Sequence, residues 1–110
     1  MEKLEKKLDT LKLLKDCKNK IKNQIINKGD DDLILSLNEC VINTLNGNVN
    51  LSQKDIKKLT KFKRSLRKLI RNKEIKKKKR ILIQEGGFLP VILPSAITLI
   101  STLIELLRKK

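Results

Sequence analysis

The sequence predicts an all-α chain, a small loose bundle of three to four helices with a basic linker and a hydrophobic C-terminal helix. Three observations carry this expectation. Apolar residues recur at spacings of three and four, capping and stop residues punctuate those stretches, and a nearly uncharged apolar run closes the chain. The expected division is a helical domain over 1–73, a basic linker with a Gly-Gly hinge over 74–87 and a hydrophobic segment over 88–110.

Leu4, Leu8, Leu11, Leu14, Cys17, Ile21 and Ile25 fall on one stripe of an amphipathic helix, expected over 2–28. Gly29 is expected to stop it as a left-handed cap. Asp30, Asp31 and Asp32 then offer an N-cap and favourable charge at the positive end of a helix over 31–46. Its buried face is expected to hold Leu33, Leu37, Cys40, Val41, Thr44 and Leu45, and Asn46-Gly47 ends it.

Ser52 followed by Asp55 resembles a shortened capping box, and Leu51 and Ile56 are placed as a hydrophobic staple. A helix is therefore expected over 53–72, with Ile56, Leu59, Phe62, Leu66, Leu69 and Ile70 inward. Lys57, Lys58, Lys61, Arg64, Lys68 and Arg71 occupy much of its other side. Beyond Asn72, the five adjacent cations Lys76, Lys77, Lys78, Lys79 and Arg80 repel one another, so a linker is expected there in the absence of an anion.

The apolar run spans 88–107 with Glu105 as its single charge, long enough to cross a bilayer. Pro90 and Pro94 interrupt its start, which places the expected final helix at 95–109. Thr98, Ser101, Thr102 and Glu105 give that helix a narrow polar stripe, and both flanks are basic, so charge does not set an orientation. Packing on the other helices, self-association and membrane contact through 88–110 all remain open at this level.

Composition narrows the function. The chain of 110 residues suits one domain, and its net charge of +15 is unevenly distributed. Residues 1–28 carry nine Lys/Arg against four acids, 29–51 carry four acids and no base, and 52–85 carry fifteen bases against three acids. Such concentration favours binding of a polyanion over a uniformly solvated surface. Phosphate contacts by the cations at 57, 58, 61, 64, 68, 71 and 76–80 would be strong, salt-sensitive and largely independent of base sequence. The Lys/Arg run alone also fits a nuclear-import signal.

Phe62 and Phe88 are the only aromatics, too few for the stacking platforms of common single-strand binders. With no His and two Cys, no metal or other cofactor is expected. Cys17 and Cys40 read as small hydrophobes in a reducing compartment. Residues 1–28 lack a continuous apolar run, so a cytosolic start is expected. No arrangement of nucleophile, base and metal ligand is recognisable, and no enzymatic activity is expected.

Lys76 to Arg80, then Gly86-Gly87-Phe88-Leu89-Pro90-Val91-Ile92-Leu93-Pro94 and an apolar helix, resemble the C-terminal half of the adenoviral core protein precursor called X or mu. The whole chain is also similar to small basic proteins of adintoviruses and Maverick/Polinton elements. The helical part before residue 73 has no counterpart in the short, Arg-rich adenoviral protein. This resemblance implies a virion core protein that helps condense packaged double-stranded DNA, located in the host nucleus and the virion core. It also implies a viral cysteine protease and a capsid shell protein as partners. Carried over, the family's processing site falls after Gly87, with Gly86 and Gly87 as its residues and Gln84 standing where the family has Met, Ile or Leu. Read as residues alone, Gly86-Gly87 is a flexible hinge. Two alternatives of other classes are a membrane-active or tail-anchored protein binding anionic lipid, and a cement protein lining a capsid interior.

Overall fold

The computed structural model describes residues 2–49 and 51–108, with side chains from residue 7 onward. Among the described residues the chain is all-α: α1 (Glu2–Asp16), α2 (Asn19–Lys28), α3 (Asp31–Leu45), α4 (Gln53–Thr60), α5 (Lys63–Arg71), α6 (Ile75–Gln84) and α7 (Leu89–Arg108). A 3-10 turn at Gly86–Phe88 leads into α7. Seven helices replace the expected three to four, because two expected helices each break in two and the expected linker is itself a helix.

The first break is at Cys17–Lys18. A straight helix over 2–28 would run about 40 Å, matching the 40 Å greatest extent of the whole molecule. Broken there, α1 lies along α7 while α2 packs on α6. The inward face changes with the break: Leu11 and Leu14 are buried, Ile21 is exposed, and Lys22 and Ile26 turn inward instead. Leu4, expected on the same stripe, lies outside the described side chains.

Gly29 is extended (φ −67°, ψ 149°), which corrects the expected left-handed cap. Its lack of a side chain serves packing, since a Cβ there would sit 2.5 Å from Leu33 Cδ2 and 3.1 Å from the Ile25 carbonyl. Asp30 caps α3 as expected, accepting from Leu33 N–H at 2.8 Å. On α3, Leu33, Leu37, Cys40, Val41 and Thr44 are buried and Ile34 joins them, whereas Leu45 is exposed. Gly47, at φ +78°, supplies the left-handed turn after it.

Ser52 starts α4, its hydroxyl accepting from Asp55 N–H at 3.1 Å. The second break follows at Lys61–Phe62, where Lys61 N–H and Phe62 N–H turn back to carbonyls three residues earlier, at 3.2 and 2.9 Å. This turn sends Phe62 towards Phe88, edge to face with centroids 6.1 Å apart. Leu59, Leu66 and Leu69 are buried, but Ile56 is exposed and the expected staple contributes little enclosure.

Helix α6 forms where a linker is expected. Ile81 and Leu82 are buried and Ile75 half-buried, so one side of the basic segment packs on α2, α3 and α5. Helix α7 starts at Leu89, six residues ahead of expectation. Pro90 lies in the first turn, where its missing N–H costs nothing, and Pro94, inside the helix, gives up the bond to the Pro90 carbonyl and crowds it with its ring. Leu89, Ile92, Leu93, Ala96 and Ile97 join Phe88 in the core. By length and composition the stretch Gly86–Arg108 could cross a membrane, yet 39% of its most apolar 18-residue window is buried within the protein. Thr98, Thr102 and Glu105 are exposed and Ser101 half-buried, so the polar stripe faces outward.

Candidate nucleic-acid interface

Helices α5 and α6 form an antiparallel hairpin across Asn72–Glu74. At one end Ser65 Oγ and Lys68 Nζ donate to the Glu85 carboxylate at 2.9 and 3.0 Å. At the other, Lys78 Nζ donates to the Leu69 carbonyl at 2.7 Å. The Lys68 ammonium first, then the Ser65 hydroxyl, holds the Glu85 carboxyl below the ordinary glutamate range. With Leu66 and Leu69 buried on its inner side, α5 is fixed in rotation about its axis.

That fixed rotation brings the cations together. Arg64, Arg67, Lys68 and Arg71 stand at i, i+3, i+4 and i+7, one stripe of the helix, and with Asn72 they line a single hollow. Their guanidinium and ammonium groups are exposed at the end of long apolar stems, suited to the spread oxygens of phosphodiesters. On the outer side of α6, Lys76, Lys79 and Arg80 line a second hollow with Asn27, Ile83 and Gln84. Lys79 is half-buried and its ammonium donates to the Asn27 carbonyl at 3.2 Å, which ties α6 to the end of α2.

The expected contact residues do not all fall on this surface. Lys57, Lys58 and Lys61 are exposed on α4 and the turn after it, and Arg64, Lys68, Arg71, Lys76, Lys77 and Arg80 are exposed on the hairpin. Lys77 approaches Glu74 at 3.9 Å, a weak surface pair. Lys78 is the exception, only 4% exposed, with its ammonium on Asn38 Oδ1 at 2.8 Å as well as on Leu69. Desolvation lowers its pKa. It is a structural residue and cannot reach a phosphate in this fold. Arg67 and Lys63 are exposed cations that the expected set omits. The spacing of Arg67 from Arg64 and Arg71 already signalled its place.

Gly86 and Gly87 lie in the 3-10 turn between α6 and α7, with Gly86 buried and Gly87 exposed. A Cβ on Gly87 would meet the Phe62 ring at 3.0 Å. The pair is therefore a packed corner in this structure. Among the described residues no three His, Cys, Asp or Glu side chains converge as metal ligands. Cys17 and Cys40 are both free, and burial, with Glu39 nearby, pushes the Cys40 thiol up to about 11, so it stays protonated. In comparisons with known proteins, the chain matches no family model, no curated protein and no solved structure.

Proposed function

We propose that this chain binds duplex DNA without base preference and acts as a virion core protein that condenses packaged DNA. The observation that carries the reading is the stripe Arg64, Arg67, Lys68 and Arg71, held in one phase by the buried face of α5 and extended by the cations of α6. Four exposed cations within two helical turns match the dense, regular charge of a phosphate backbone, and each contact releases condensed counterions. No exposed aromatic stands among the cations of α5, and Asn72 beside them donates its amide to the Lys68 carbonyl, which favours positional, electrostatic contact over base readout. Neutralising backbone charge lowers the repulsion between neighbouring duplex segments, which is the physical requirement for packing them closely. The sequence resemblance to adenoviral core proteins supports the virion setting, the nuclear location and contact with a capsid shell.

Binding of the full chain to unrelated duplexes across a salt series tests this. The expected result is equal affinity for each duplex and a steep loss with salt. Arg67→Ala and Arg71→Ala should each lower the slope of log K against log salt by about one. A salt-insensitive constant, or one strongly preferred site, would sink the proposal. A second reading, in which anionic lipid headgroups replace the phosphodiesters, draws on the exposed Leu103, Leu106 and Leu107 near Arg108. Flotation with anionic vesicles in parallel with the DNA series separates the two.

A further inference from the structure

Helix α3, with Asp31, Asp32 and Glu39, is the one α-helix among the described residues without a base, and it borders two apolar surfaces of opposite net rim charge. The first is a groove of about 460 Å3 between α3 and α7, with Leu35, Leu99, Ile100 and Leu103 along it. Asp32, Glu39 and Lys7 are its charged edge, and the Lys7 ammonium is already paired with Asp30 at 2.7 Å, so the rim is net acidic. The second lies where the end of α3 meets α4 and α5, with Leu45, Leu51 and Ile56 along it and Lys63 and Arg67 at its edge. Leu35, Leu45, Ile56 and Leu103 are each between 45% and 50% exposed, large apolar side chains left half in water. On α3, Leu45 stands about 80° around the axis from Leu35 and about 120° from Glu39, and ten residues along it from Leu35, so the two surfaces are separate.

We propose that a second copy of this chain docks its Leu45/Ile56 surface, rimmed by Lys63 and Arg67, into the α3–α7 groove, rimmed by Glu39. Charge decides the occupant. Two copies at +15 repel through most of their surfaces, whereas residues 29–51 and 81–107, which supply α3 and most of α7 on the two sides of the groove, carry no base. Approach through α3 brings Glu39 to Lys63 while the half-exposed leucines and isoleucine of both surfaces leave water together. Because the two surfaces differ and are set apart along and around α3, the contact is heterologous and leaves one of each kind free, so it adds copies head to tail. The contact itself does not depend on nucleic acid. Its consequence, cooperative coating of a duplex by adjacent copies, rests on the DNA-binding reading.

Sedimentation of the full chain over a wide concentration range, without DNA, tests the contact. A ladder of species growing with concentration is expected. Glu39→Lys and Lys63→Glu should each weaken association about tenfold, and the double charge swap should restore it. Both residues are exposed, so the variants should keep the helical content and melting transition of the parent. Leu35→Lys supplies an independent disruption of the groove. A monomer at every concentration, a closed dimer, or a charge swap that fails to restore association would overturn the proposal. If Glu39→Lys binds duplex DNA with the parent's salt slope but without cooperativity, docking and DNA binding are separate properties. Loss of DNA binding in the parent chain alongside an intact ladder would remove the functional reading and leave the docking standing.

Discussion

The Lys78 ammonium joins Asn38 on α3, 40 residues away, to the carbonyl of Leu69 in the last turn of α5. It meets two neutral acceptors and no carboxylate, and it lies where the helix α5 macrodipole is negative. A cation thus caps one helix from within the core while its stem packs beside Ile81 and Leu82. Lys78→Ala should cost roughly 2–4 kcal/mol, from the lost methylene packing and the two buried acceptors left bare. Lys76→Ala and Lys77→Ala should each stay within about 0.5 kcal/mol of the parent. Chemical denaturation of the three variants checks this, and DNA affinity should rank them in the opposite order.

Ser52→Ala should destabilise the chain by about 1 kcal/mol, because Asp55 N–H loses its acceptor at the start of α4. Ile56→Ala should cost less than about 1 kcal/mol in the isolated chain, since that side chain is half exposed. If thermal melting ranked Ile56→Ala as the more damaging change, α4 would have to bury a face other than the one described.

Acid should weaken the fold through Asp30. The hydrogen bond from the Lys7 ammonium, then that from Leu33 N–H, holds its carboxyl below the ordinary aspartate range. A depressed folded value means the stabilisation is complete above the unfolded pKa of about 4 and is lost as pH falls through the folded value. Glu85 acts with the same sign through Lys68 and Ser65. Melting temperatures should therefore drop below about pH 4, and Asp30→Asn, which keeps a capping oxygen but loses the charge, should flatten that drop.

Gly87→Val should cost roughly 1–3 kcal/mol, because the added carbons press on the Phe62 ring that packs against Phe88. A fragment over 1–87 loses Phe88, Leu89, Ile92, Leu93, Ala96 and Ile97 from the core. It should show no cooperative thermal transition by circular dichroism. Any cut after Gly87 in the intact chain should proceed at a rate set by opening of the fold, and destabilising variants should be cut faster.

The caps at Asp30 and Ser52 and the stop at Gly47 were legible because each depends on residues within one helical turn, and most of the buried face of α3, Leu45 excepted, followed from its spacing of three and four. The break at Cys17–Lys18 was not. No Gly or Pro marks it, and what it achieves, α1 along α7 and α2 on α6, involves partners that no local pattern names. Helix α6 was hidden for a related reason. Five adjacent cations argue locally for an open chain, and the acceptors that take Lys78 inside come from Asn38 and Leu69, which no local pattern connects to it. In the candidate interface, the α5 stripe follows from spacing alone, whereas the removal of Lys78 from the surface required the packing of α6.

The base-free α3 and the fifteen bases of 52–85 also make the charge of the molecule uneven over its surface. At about 0.1 M salt a polyanion's field decays over ~10 Å, well inside the 27 Å smallest dimension of the protein. The near and far sides of an approaching molecule therefore sit at different potentials, and the resulting torque turns it before first contact. Dilution of the salt should accelerate productive encounters by more than it lengthens the residence time, because rotation into register happens in solution.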